Sequence, residues 1–114
     1  MLKETQGMKM EAIIVDIDGT IALHNDRGPF DYDKCDTDLP NKPVVDLVKR
    51  LSKDKYLMII YLSGREDSCK EKTRACISKH IGQQPQLLFM RKTGDHRKDS
   101  IIKNEIYDES IKNH

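Results

Sequence analysis

The chain has no tryptophan and only two phenylalanines and four tyrosines among its 114 residues. With so little aromatic interleaving, a stacking platform for long single-stranded nucleic acid is not expected. Cysteine is scarce and odd in number (Cys35, Cys69, Cys76), with no Cys-x-x-Cys pair. A disulfide frame and a zinc site are both disfavoured, and reduced thiols in a cytoplasm fit better. No apolar run approaches the ~20 residues that span a bilayer, and the leading MLKETQGMKM lacks the apolar core of a signal peptide. The net charge is +1, so no global field steers the protein to nucleic acid or membrane; such affinity must come from a local patch. Repeats, low-complexity tracts and linkers are absent. The expected organisation is a polar lead over residues 1–10 and one domain over 11–114.

What is present is a set of short apolar runs. Ala12-Ile13-Ile14-Val15 is continuous and β-branched, which predicts a strand buried on both faces, as in a parallel sheet. Residues 24–41 carry turn formers and read as a long loop with one short hairpin. Val44, Leu47, Val48 and Leu51 follow helical spacing, with Asn41 as the cap and Pro43 in the first turn. Tyr56 to Leu62 is a second strand that stops at Ser63. A helix over 66–81 would align Cys69, Thr73, Cys76, Ile77 and His80, with Gly82 as terminator. Leu87 to Met90 is a third strand. The last helix, 97–112, would bury Ile102 and Ile106, with Ile101 and Tyr107 at its margins. Alternating strands and helices predict an α/β fold with a parallel central sheet.

Each strand ends in a charged or hydroxyl cluster: Asp16 and Asp18, then Ser63 and Arg65, then Arg91. Ligands of open α/β sheets bind beyond the carboxyl ends of the strands, so three strands aim polar groups at one crevice. Two carboxylates one residue apart repel and call for a cation or a shared proton. Oxygen ligands without nearby His or Cys suit Mg²⁺. Gly19 permits close backbone approach, and the amides after it could cradle an anion. One aspartate could attack phosphorus while the other protonates the leaving oxygen. Arg65, Arg91 and Lys103 are the cations placed to offset phosphoryl charge. Residues 91–103 are locally basic, which reads equally as a nucleic-acid patch or as a solvated, ion-paired helix start. The acidic run Asp31, Asp33, Asp36, Asp38 lacks the glycine and glutamate of a hand-type calcium loop. The four histidines show no helical metal pairing.

Asp16-Ile17-Asp18-Gly19-Thr20 resembles the first motif of the haloacid-dehalogenase-like phosphohydrolases, Ser63 their second motif and Lys103 their third. Arg27-Gly28-Pro29-Phe30-Asp31, Lys34 to Asp38, Ser63 to Glu66, and Arg91 to Asp99 followed by Lys103 resemble the 3′-phosphatase domain of bacteriophage polynucleotide kinase/phosphatase. The resemblance covers residues 12–110. It implies a Rossmann-like three-layer fold and Mg²⁺-dependent removal of a terminal 3′-phosphate from nucleic acid through an aspartyl-phosphate. Asp16 would be nucleophile and Mg²⁺ ligand. Asp18 would be general acid and base, with its carbonyl on the metal. Ser63 and Lys103 would hold phosphoryl oxygens. Gly19, Thr20, Arg27, Gly64, Arg65, Arg91 and Asp99 would lie in or beside the substrate site.

The resemblance also implies a further strand beside the first, ending in an acidic fourth motif. No such strand follows the last predicted helix, so the expectation is a fold shortened on its C-terminal side, with an incomplete metal shell. A strand edge left open there predicts a homodimer or completion by another chain. Two further readings stay open: a binding module for nucleic-acid ends or a partner without turnover, and a phosphatase for a small phosphate ester.

Overall fold

The computed structural model describes residues 11–24 and 38–113. Its frame is a parallel sheet of β1 (Glu11–Val15), β4 (Leu57–Glu66) and β5 (Leu87–Arg91), in the order β1-β4-β5. Val15 pairs with Tyr61 and Ile60 with Leu87, so the three carboxyl ends emerge on one side. The short strands β2 (Ala22–Leu23) and β3 (Leu39–Pro40) pair antiparallel, β2 preceding the 24–41 stretch in which a short hairpin is expected. The helices are α1 (Lys42–Leu51), α2 (Lys70–Ile81) and α3 (Asp99–Ile106).

The alternation of β4 builds three layers. Tyr61 faces a core with Val15, Ile17, Val45 and Val48 of α1, and Cys76, Ile77 and Ile81 of α2. Its neighbours Ile60 and Leu62 face the opposite side, with Ile111 and, at the margin, Leu87, Phe89 and Ile106. Period-2 strands sandwiched between amphipathic helices give the α/β architecture expected from the sequence. No helix among the described residues is long and apolar enough to cross a membrane.

Several local expectations need correction. β1 is not buried on both faces: Ile13 and Val15 pack against the first core, but Ile14 is 45% exposed. The second core takes its apolar residues from β4, β5 and the C-terminal helical segment, and none from β1. Among the described residues β1 is the edge of the sheet, with one thinly covered face. β4 does not stop at Ser63 but runs on to Glu66, and a 3₁₀ turn (Asp67–Cys69) precedes α2. The final helix is shorter than 97–112. It begins at Asp99 and widens over Tyr107–Ile111 into a π turn, where the Lys112 amide donates to the Tyr107 carbonyl. That wider turn sets Ile106 and Ile111, five residues apart, on one side against the sheet. Ile101 and Tyr107 stay exposed.

Asn41 does precede α1, with Pro43 in the first turn, but its side chain makes no cap hydrogen bond. It donates instead to the Thr20 carbonyl at 2.8 Å, tying α1 to the loop after β1. Cys69 and Cys76 are buried thiols. Gly82 ends α2 at φ +89°, a left-handed conformation that a side chain resists. Gly82→Ala is expected to lower stability by roughly 1–2 kcal/mol without changing the fold, as read from urea unfolding.

Candidate active site

The site starts with one apolar residue between two acids. Ile17 is fully buried in the first core, and alternation turns Asp16 and Asp18 away from that core. The Ile17 carbonyl accepts from the amides of Thr20, Ile21 and Ala22, which folds the segment into a tight loop. Gly19 supplies its positive φ of 76°. Asp16 Oδ1 accepts from the Ile17 amide at 2.8 Å and from Lys103 Nζ at 2.9 Å, across 87 residues of sequence. Lys103 Nζ also reaches Asp99 Oδ2 at 3.1 Å, one helical turn back on α3. Burial opposes the Lys103 charge, but the Asp16 and Asp99 carboxylates outweigh it and hold the ammonium above its ordinary range.

Asp18 is gripped from behind by Arg65. The Nη2 of Arg65 donates to Asp18 Oδ1 at 2.6 Å, and Nε approaches both carboxylate oxygens. The Arg65 side chain is completely buried and also binds Asp38 Oδ2 at 2.8 Å and Thr73 Oγ1 at 3.3 Å. A bulge places it there. Ser63 pairs with Met90 and Glu66 with Arg91, so Gly64 and Arg65 are extra residues on β4, and such an insertion re-aims a side chain. Ser63 is buried in the same bulge, its Oγ accepting from the Arg65 amide at 3.0 Å.

Gly64 sits so close to Asp99 that an added Cβ would collide with the carboxylate. Its carbonyl accepts from Arg91 Nε at 2.8 Å. Arg91 Nη1 donates to the carbonyls of Asp95 and Arg97, and Nη2 reaches Asp99 Oδ1 at 3.4 Å. One guanidinium thus folds the β5–α3 loop against β4. Thr93 adds bonds to Asp67, and Gly94 to Glu66. Arg97 forks between Asp95 and Glu105, and its hydrogen bonds hold the Asp95 carboxyl down to about 2.

These elements enclose an open cleft of about 670 Å³. Of the residues expected in the site, Asp16, Asp18, Gly64, Arg91, Asp99 and Lys103 line it. Gly19, Thr20, Ser63 and Arg65 do not; Arg27 lies outside the described residues. Arg65 and Arg91 both have partners within the fold. Sequence reasoning missed His24, whose Nε2 lies 3.2 Å from Asp18 Oδ1, and Glu66 and His96 on the walls. It also passed over Asp38 as one acid among four, whereas the structure buries it against Arg65; the other three lie outside the described residues. The signal available was Asp38's place just before β3 and α1.

The family signature described as the polynucleotide kinase PNKP phosphatase domain matches residues 10–114. This chain belongs to that family. It is 32% identical over 102 residues to the "Putative bifunctional polynucleotide kinase/RNA ligase" of Autographa californica nuclear polyhedrosis virus, covering 89% of this chain and 15% of the viral protein. Its backbone superposes on a chain of the Pnkp1/Rnl/Hen1 complex with TM-score 0.81 and 39% identity, covering 90% of this chain and 35% of that one. A chain of the Pnkp1/Rnl/Hen1 RNA repair complex gives TM-score 0.80 and 37% identity, with 92% and 33% covered. The chain therefore spans about a third or less of these relatives. The matches support the haloacid-dehalogenase-like fold and a phosphatase-domain assignment.

Removing one partner of a buried ion pair leaves an under-compensated charge. Asp38→Ala is expected to cost about 3 kcal/mol in urea unfolding, the low end for such a deletion because Asp18 still faces Arg65. An unchanged midpoint would count against the buried network.

Proposed function

We propose that this protein is a Mg²⁺-dependent phosphomonoesterase that removes a terminal 3′-phosphate from nucleic acid. The observation that carries the reading is the 2.9 Å contact between Lys103 and Asp16 at the carboxyl ends of a parallel sheet, beside Asp18. An Asp16 oxygen forms a bond to phosphorus as the bond from phosphorus to the 3′ oxygen breaks. Asp18 gives its proton to that oxygen, then takes one from the water that hydrolyses the aspartyl-phosphate. Lys103 offsets charge on the phosphoryl oxygens. Arg65 fixes Asp18 through two donors, and Arg91 holds the wall that carries Asp99. Gly64 is required there by its closeness to Asp99. Ser63 and the amides around Gly19 and Thr20 support this constellation from behind the cleft wall. Their contact with substrate, and that of Arg27, belongs to the family resemblance.

The residues fit a hydrated magnesium ion. The cleft walls carry five carboxylates against four permanent cations, so added positive charge is needed before a phosphate dianion is welcome. Mg²⁺ keeps several waters and takes one or two carboxylates. The Asp16 carboxylate and the Asp18 main-chain carbonyl would hold it, since Arg65 occupies the Asp18 side chain. When bound, the ion would neutralise developing phosphoryl charge. No group of three or more His, Cys, Asp or Glu that could hold a metal occurs among the described residues. A second reading is an end-binding module without turnover, supported by the ion pairs that already occupy Asp16 and Asp18. A small phosphate ester as substrate is the third.

The partner proposed is a 3′-phosphorylated end, in a cytoplasmic setting consistent with buried thiols. The exposed Ile14 on edge strand β1 supports cover by a second copy or another chain. The similar Pnkp1 chains are found in complexes with Rnl and Hen1.

Phosphate release from a 3′-phosphorylated oligonucleotide is expected to vanish in EDTA, return with Mg²⁺, and fall at least 10³-fold (order of magnitude) in Asp16→Asn. Folded protein that releases no phosphate at any magnesium concentration sinks the enzymatic reading. Light scattering is expected to report a dimer or partner complex that Ile14→Lys dissociates; a monodisperse monomer contradicts edge cover by a second copy.

A further inference from the structure

The cations around the cleft are not equivalent. Lys103 is paired with Asp16 and Asp99. Arg91 is held by three carbonyls and Asp99, and Arg97 by Asp95 and Glu105. Lys98 is the one permanent cation lining the cleft that has no ion pair among the described residues. It is exposed, its neighbour His96 is exposed and also lines the cleft, and neither side chain makes a hydrogen bond there. Both stand on the β5–α3 loop, which Arg91, Thr93 and Gly94 fasten to β4 and the 3₁₀ turn after it. The Lys98 backbone starts α3, its carbonyl accepting from Ile101 and Ile102, so its side chain is free of structural duty.

A strand whose 3′-phosphate reaches Asp16 carries its next phosphate outward across the cleft. The acids of the floor repel that phosphate, and among the described residues of the walls only Lys98 has a positive charge without an ion pair to receive it. We propose that the nucleic-acid strand leaves the reacting phosphate over Lys98 and His96, with Lys98 holding the adjoining internucleotide phosphate. This rests on the phosphatase reading and deepens it. The rim would make the site prefer a polynucleotide end over a small ester while taking no part in the chemistry.

The test uses Lys98→Ala, Lys98→Arg and His96→Ala, with Lys53→Ala as a remote exposed control. Fluorescence anisotropy of a 3′-phosphorylated oligonucleotide is expected to show roughly fivefold weaker binding in Lys98→Ala, the upper end for an exposed ion pair. The slope of log affinity against log salt should flatten by roughly 0.7, one single-strand phosphate contact. Lys98→Arg should restore both, His96→Ala should weaken binding with no change in slope, and Lys53→Ala should change neither. Hydrolysis of p-nitrophenyl phosphate should stay within twofold of the parent in every variant. The proposal is overturned if Lys98→Ala leaves affinity and salt slope unchanged, if the parent does not bind the oligonucleotide, or if aryl phosphate hydrolysis falls in parallel. Absence of phosphate release in all proteins would defeat the phosphatase reading instead, and the anisotropy comparison would still decide the path of the strand.

Discussion

A buried guanidinium organises this protein. Arg65 is withdrawn from water and must therefore be matched by carboxylates within the fold. It takes Asp18 from the loop after β1 and Asp38 from the approach to α1, while its own backbone belongs to β4. Three segments distant in sequence are thereby clamped to one point. The orientation of Asp18 follows from that clamp, because two donors on one planar group fix a carboxylate better than a point charge can. Asn41, reaching back to Thr20, reinforces the same junction with a neutral bond.

The second organising group is Arg91, and it works on backbone more than on charge. Its bonds to the carbonyls of Gly64, Asp95 and Arg97 convert the β5–α3 connection from a loop into a wall. The wall presents Asp99 and Lys103 to Asp16 and turns Lys98 and His96 outward. The two arginines thus divide the labour: one fixes an acid on the cleft wall, the other shapes the rim.

Much of this was legible in the residue pattern. The apolar runs marked the three parallel strands, the polar strand ends marked the cleft, and the spacing of Val44 to Leu51 marked α1. Less legible was anything that depended on which strand sits at an edge. Ile14 reads as core because β-branched runs usually are, yet the second core gathers on β4 and β5 and leaves it outside. The partners of the two arginines were illegible for a related reason, since the carboxylates and carbonyls around Arg65 and Arg91 come from segments distant in sequence.

By itself the sequence determined the order of elements and the chemical types gathered at the strand ends, because apolar periodicity and short motifs are local properties. Tertiary structure alone decided which charges are neutralised. Asp38 meets Arg65 across 27 residues, Lys103 meets Asp16 across 87, and Lys98 has no ion pair among the described residues. Charge availability depends on distances between segments that local pattern does not encode, and the bulge at Gly64 and Arg65 turns one of those charges inward.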